Sequence, residues 1–415
     1  MIRANLLLHK EYVHMTMMST RCLKTRNRLK PFLSLVFYAC FLLLPAITYH
    51  LAHGTTHVAD VKNPAEPVNG TVTLGIEHTL TIDPTKNNAK EDLFFDDYRS
   101  HPNGNVYLVD GKNAGVHIFT PAGTYVKSFL RKGSGPAEVQ PYPILMITEK
   151  TIWVKSLQKV ATFDLEGNFL NERRFKEYYY SFQPLTPLKI LASVEKNTKS
   201  MAQFHKIVSL YDIGKTNRDT VTEVKRLLEV KQGGKVMIQI RKRPMSVYLE
   251  TGVIPDIIVN VNYKTKRIIA AKNHEYKIYI YDFDGKLLKI IQKKHKNAPL
   301  TNDSKVTIAR AVAYGQPKSV VSSIVEKIPD SMCAMERIQM THTGHLIVKS
   351  ISAYKKTAYD VFDTHGKYLY RVKLPAALDE MTRIRFINNG IACIEEADDT
   401  NIYHQFRINA PLGVF

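Results

Sequence analysis

An all-β fold is predicted for this chain: a six-bladed β-propeller with an N-terminal strand closing the last blade, preceded by an N-terminal hydrophobic signal or anchor helix. Three observations predict it. From Thr71 onward, short runs rich in Val, Ile, Tyr and Phe are bounded by Gly, Asn, Asp and Pro turns, with almost no long helical periodicity. One hairpin turn recurs, in PAGTYV at Gly123, DLEGNFL at Gly167, DIGKT at Gly214, DFDGKLL at Gly285 and DTHGKYL at Gly366. The first two spacings, 44 and 47 residues, suit a four-stranded blade, and the later ones, 71 and 81, require insertions.

The N-terminal region differs from the rest. Residues 1–30 hold seven of the 58 basic residues and one of the 38 acidic ones, in a chain of net charge +20. Arg21, Lys24, Arg26, Arg28 and Lys30 then precede an uncharged run, Pro31 to Tyr49. This pattern fits either an export signal or a spanning helix, and a positive flank retained in the cytoplasm sends the remainder across the membrane. Residues 1–52 are therefore read as a basic region plus signal peptide or membrane anchor, 53–69 as a linker, and 70–415 as the propeller. The expected location is exported, periplasmic or otherwise extracytoplasmic, with the hydrophobic segment as the membrane contact. Four cysteines in 415 residues exclude a disulfide scaffold. Cys333 and Cys393 are expected as buried free thiols.

Blade by blade, the first reads LFFDDY, NVYLVD, GVHIFT and TYVKSFL (93–130), and the second ILMITE, TIWVKS, KVATFDL and NFLNERRF. A looser third begins with YYSFQPL and takes its last strand from within 219–240. The fourth ends at Gln292, and the fifth contains ERIQMTH, HLIVKSIS, AYDVFDT and YLYRVKL. The tail offers only TRIRFINN, GIACIEEA and IYHQFRI. A ring of sheets needs closure to leave no exposed edge, so the spare segment GTVTLGIEHTL (70–80) is expected to complete the sixth blade. Between blades four and five, 293–332 is polar and then helix-compatible, with Pro317 breaking it into two short helices. It is either a lid over one face or a connector.

The stretch HPNGNVYLVDGKNAGVHIFTPAGTYVKSF (101–129) resembles the NHL repeat, and RKGSGPAEV (131–139) is similar to a connector of TolB-like, exported bacterial six-bladed propellers. Gly115, Ala137 and Val139 depart from that pattern, where an arginine, a glycine and an aromatic residue are usual. The resemblance implies a central tunnel and two faces of loops open to ligands; such a fold hosts many functions and selects none.

Chemistry is sparse by comparison. DFDG at 282–285 lacks the further acids of a calcium loop, and GKT at 214–216 lacks the first glycine of a phosphate loop. His342 and His345 could share a hairpin edge, but two imidazoles do not make a zinc site. The inner-strand acids Asp96, Asp97, Glu149, Asp256 and Glu336 are scattered, so no catalytic residue, metal ligand or cofactor is assigned. Binding candidates are Arg131, Lys132 and Glu138, in a connector where Gly133 and Gly135 permit close backbone approach, and the basic cluster Arg241, Lys242 and Arg243. Partners expected are a protein or glycan at the cell envelope, with the surviving positive charge favouring anionic surfaces; translocation excludes nucleic acid. The reading is an exported or membrane-anchored binding module. The alternative is a metal-dependent hydrolase or lyase, gluconolactonase-like, which requires carboxylates converging at the tunnel mouth.

Overall fold

Six meanders of antiparallel strands follow one another in the computed structural model, which describes residues 58–84, 86, 95–197, 204–214, 221–231, 235–240, 243–249, 252–354, 356–387, 390–396 and 401–409. Blades 1 to 5 span 97–129, 144–174, 182–231, 257–293 and 335–373, each running from innermost to outermost strand in chain order. In blade 1 the two middle strands, Val106–Asp110 and Gly115–Phe119, are buried on both sides, so they read as unbroken apolar runs. The outer strand Tyr125–Phe129 alternates between exposed and covered positions. The N-terminal hydrophobic segment expected over 31–49 lies outside the described residues. Among those described, no helix is long and apolar enough to cross a membrane.

Three N-terminal strands bind the ring from outside. β1 (Ala59–Asn63) pairs in parallel with the outer strand of blade 4, β2 (Thr71–Thr73) in parallel with that of blade 5, and β3 (Ile76–Ile82) antiparallel with Asn401–Ile408 of blade 6. The tail does supply three strands, Thr382–Ile387, Gly390–Glu396 and Asn401–Ile408, and an N-terminal strand does provide the fourth. The closing strand is 76–82, displaced from the expected 70–80. Its first half, TVT, turns instead to blade 5, because Gly75 interrupts the run and either outer strand can satisfy its backbone groups. Residues 59–63, within the stretch expected as linker, are ordered by blade 4 in the same way.

Ring closure is visible in the packing. Six apolar cores lie between successive blades, and the sixth joins blade 6 to blade 1 through Ile394 and Tyr403 against Tyr98, Leu108 and Phe119. The Tyr98 hydroxyl, with one hydrogen to donate, lies 2.5 Å from the Ala392 carbonyl and 2.9 Å from that of Arg383, pinning the first inner strand to the last blade.

Four of the five recurring turn glycines serve these cores, the exception being Gly214, around whose added Cβ nothing lies within 4 Å among the described residues. A Cβ on Gly167 would stand 2.6 Å from Phe129 of blade 1, and one on Gly366 2.8 Å from Ile291 of blade 4. Both also hold positive φ, +79° and +92°. The motif therefore marks a hairpin and a close approach to the preceding blade together.

Because blade strands alternate in direction, connectors fall on two faces. Links from one blade to the next lie on the face where inner strands begin, here called upper; turns between first and second strands lie on the lower face. The long insertion is an upper-face link, and it forms two helices as expected, α1 (Asn302–Val312) and α2 (Lys318–Val325). Thr301 caps α1, accepting from the Ser304 amide at 3.2 Å, and Pro317 starts α2. The hairpin Lys235–Ile240 with Arg243–Tyr248 packs against them, and Val236, Ile308 and Ile324 share a seventh apolar core.

Candidate functional site in the central tunnel

The innermost strands line a tunnel of about 410 Å³, which opens on the lower face into a mouth of about 660 Å³. Three arginines line the tunnel, Arg99 of blade 1, Arg337 of blade 5 and Arg385 of blade 6, together with the amides of Gln183, Asn260 and Gln339; no Asp or Glu lines it. The first turns of blades 1, 2, 4 and 5 build the mouth, including His101, Glu149, Lys264 and His342.

Arg99 and Arg385 share one carboxylate. Arg99 Nη1 lies 2.7 Å from Asp97 Oδ2, and Arg385 Nη2 lies 2.7 Å from Asp97 Oδ1. Burial pushes the Asp97 carboxyl up, but the two guanidiniums outweigh it and hold it below the usual value. Burial and then the adjacent Arg385 lower Arg99, so these two cations strain against each other across one anion. Arg385 is also seated 4.8 Å from the Tyr98 ring centroid. Arg337 differs: Nη1 donates to the Ile384 carbonyl at 2.8 Å, and it makes no ion pair among the described residues. Beside it, the Gln339 amide acts as a rung between blades, donating to the Phe386 carbonyl and accepting from the Phe386 amide. Three guanidiniums thus line the tunnel, two of them paired with Asp97, which is not itself a lining residue, and neutral amide donors and acceptors surround them.

The sequence-derived candidates fall elsewhere. Arg131 and Glu138 pair with each other at 3.0 Å, and Glu138 also accepts the Gly135 amide at 2.8 Å, on the upper face. A Cβ on Gly133 would meet that carboxylate at 2.1 Å, so the connector glycines make room for the loop's own acid. Hydrogen bonding from Gly135 lowers the Glu138 pKa. Lys132 is exposed beside them. Arg241 and Lys242 lie outside the described residues; Arg243 opens a strand of the upper-face hairpin, and its side chain lies outside them too.

The inner acids do not converge. Asp97 belongs to the arginines, Asp256 pairs with Lys206 at 2.7 Å, Glu336 pairs with Lys349 at 2.8 Å, Glu149 lies at the opposite face, and Asp96 is raised by burial. Among the described residues, no three His, Cys, Asp or Glu side chains are arranged to hold a metal ion. His342 lines the lower mouth, while His345 bonds Thr343 at 2.9 Å within the same turn. Cys333 and Cys393 are free, buried thiols.

Sequence reasoning missed the three tunnel arginines. Their only signal was an Arg in the first strand of a repeat, in DYRS, MERIQM and TRIRFI, the last of which also holds Arg383. Such an Arg reads as solvent-facing unless the strand is known to border a tunnel.

A family model described as a six-bladed β-propeller, DUF5128, matches residues 100–240. No curated protein matches the chain. Among solved structures, a candidate exported protein of Bacteroides fragilis is similar at 12% identity and a TM-score of 0.49, over 85% of this chain and all of that one. A Bacteroides vulgatus member of the DUF4221 family aligns at 10% identity and a TM-score of 0.44, covering 81% and 99%. Virginiamycin B lyase of Staphylococcus aureus aligns at 11% identity and a TM-score of 0.38, covering 80% and 99%. The chain is an all-β, six-bladed propeller.

Proposed function

We propose that this propeller is an exported or membrane-anchored binding module of the cell envelope that holds a small anionic ligand, bearing a carboxylate or phosphate group, in its central tunnel. The observation that carries the reading is Arg337, a tunnel guanidinium with no counter-ion among the described residues, next to two arginines that share a single carboxylate. A guanidinium fork suits planar oxyanions, and the amides of Gln183, Asn260 and Gln339 can orient the rest of the ligand. The basic segment and apolar run before residue 50 support export, as does the resemblance to NHL-repeat and TolB-like propellers. Of the inner acids, Asp97, Asp256 and Glu336 are each neutralised by a basic partner and Glu149 lies at the opposite face, which favours binding over catalysis.

The test is a thermal-shift and calorimetric screen of mono- and dicarboxylates, phosphate and sugar phosphates against neutral sugars of similar size. Anions should stabilise the protein, and Arg337→Gln should weaken the best of them by about tenfold or more, the worth of a hydrogen bond to a charged group. Stabilisation by neutral sugars alone, or anion binding untouched in Arg337→Gln, would remove the basis of the reading.

A further inference from the structure

Exposed aromatic residues are unevenly placed on this molecule. The exposed tyrosines among the described residues, Tyr142, Tyr178, Tyr180, Tyr248 and Tyr314, all belong to upper-face connectors. Three of them form one strip over blades 2 and 3. The rings of Tyr178 and Tyr180 meet edge to face at 4.9 Å, Lys235 Nζ lies 5.6 Å from the Tyr180 centroid and 5.4 Å from that of Tyr248, and Lys155 Nζ lies 4.5 Å from that of Tyr178. Leu157, 60% exposed, extends the strip from the turn that follows Lys155.

The two lysines are not equivalent. Lys235 is neutralised by Glu195. Lys155 is only 3% exposed, and among the described residues its ammonium makes no ion pair; the Tyr178 ring is what faces it. A buried ammonium costs several kcal/mol of lost hydration unless it is paired, and a ring face returns about 0.5–2 kcal/mol. Burial accordingly pulls the Lys155 pKa down. A cation held under aromatic rings at a surface, with its counter-charge missing, is half of a recognition site.

We infer that this upper-face strip docks a carboxylate-bearing polysaccharide, whose uronate carboxylate meets Lys155 while the apolar C–H faces of its sugar rings lie over Tyr178, Tyr180 and Tyr248. Tyrosine suits that partner because each ring joins an apolar face to a hydroxyl that can bond sugar oxygens. A net charge of +14 beyond residue 30 draws a polyanion and repels a second copy of this chain. This site is independent of the tunnel.

Affinity electrophoresis and calorimetry with the full chain test the inference, using polygalacturonate, neutral dextran and polyglutamate as probes. Polygalacturonate should bind and dextran should not. Lys155→Met and, separately, the surface change Tyr248→Ser should each weaken binding about tenfold. Added salt should weaken it further, while Arg337→Gln should leave it unchanged. Absence of polygalacturonate binding, binding that survives both substitutions, or equal or tighter binding of polyglutamate would each overturn it. Tyr248→Ser keeps the test decisive if Lys155→Met fails to fold.

Discussion

Substituting alanine at two glycines separates the two jobs given to the repeated turn. Gly366 ends the Asp363 turn of blade 5, where Asp363 Oδ1 accepts the amides of His365 at 2.9 Å and Lys367 at 2.8 Å. Its φ is +92°, and an added Cβ would lie 2.8 and 2.9 Å from Cγ1 and Cδ1 of Ile291, itself 1% exposed in the core between blades 4 and 5. Gly315, in the link between the two helices, also has positive φ, +74°, but nothing lies within 4 Å of its added Cβ. Both alanine variants incur a left-handed backbone cost of about 1–2 kcal/mol, partly offset by a stiffer unfolded chain. Only Gly366→Ala adds overpacking, worth about 1–3 kcal/mol in a filled core. Gly366→Ala should therefore be less stable than Gly315→Ala by about 1–3 kcal/mol, the overpacking contribution. Urea unfolding followed by Trp153, the sole tryptophan, which is buried between blades 2 and 3, measures the difference as a shift in midpoint at constant slope. Equal midpoints would show that the turn needs glycine only for its dihedral angle, and the close blade approach would lose its claimed role.

Two further outcomes follow from buried groups. Asp360 is fully buried, pairs with Lys293 and accepts the hydroxyls of Tyr276 at 2.6 Å and Tyr368; Asp360→Asn leaves the ammonium uncompensated and should cost about 3–5 kcal/mol in urea unfolding. Burial would raise the Asp360 carboxyl, but Lys293 and the hydroxyl bonds hold it below its unfolded value, so its stabilisation is present above about pH 4 and fades as pH falls further. Asp360→Asn should accordingly flatten the acid limb of stability against pH, and an unchanged limb would contradict the assignment. Burial first, then Asp256 or Glu395, pushes the Cys333 and Cys393 thiols up to about 12, so a Cys22→Ser, Cys40→Ser chain should resist Ellman's reagent when folded and react at both sites in denaturant. Rapid labelling of the folded chain would refute this.

How much was legible from residues alone depends on which atoms carry the information. Blade number and the helical insertion were readable because side-chain patterning sets them: doubly buried strands such as Val106–Asp110 are continuously apolar, and Pro317 marks the helix break. The exact closing strand was not, because β2 and β3 are both short apolar-polar runs and backbone hydrogen bonds alone choose between blades 5 and 6. The upper-face strip was hidden by a similar ambiguity. YYSFQPL (179–185) reads as one aromatic strand, yet the strand begins at Phe182, leaving Tyr180 in the connector with its ring outside, beside Tyr178, which precedes the segment. In the connector at 131–139, charge and glycine suggested a ligand loop, whereas the charges answer each other within the loop.

Ring architecture also decides where function can reside. Each blade commits both of its faces to apolar cores with its neighbours, so a polar group placed inside a blade is costly unless satisfied there, as Asp360 is by Lys293 and two tyrosines. Chemistry directed at ligands is left to the inner strand edges and the connectors. Those two places have diverged here: the tunnel gathers guanidiniums and amides, while the exposed tyrosines sit on the upper face. A small anion and a polymer laid across a surface make different demands, enclosure with forked donors in one case and open ring faces in the other. The two sets differ in their relation to ring closure: Arg385 of the tunnel is part of it, seated on Tyr98 and paired with Asp97 of blade 1, whereas the exposed tyrosines lie on connectors outside the core between blades 6 and 1.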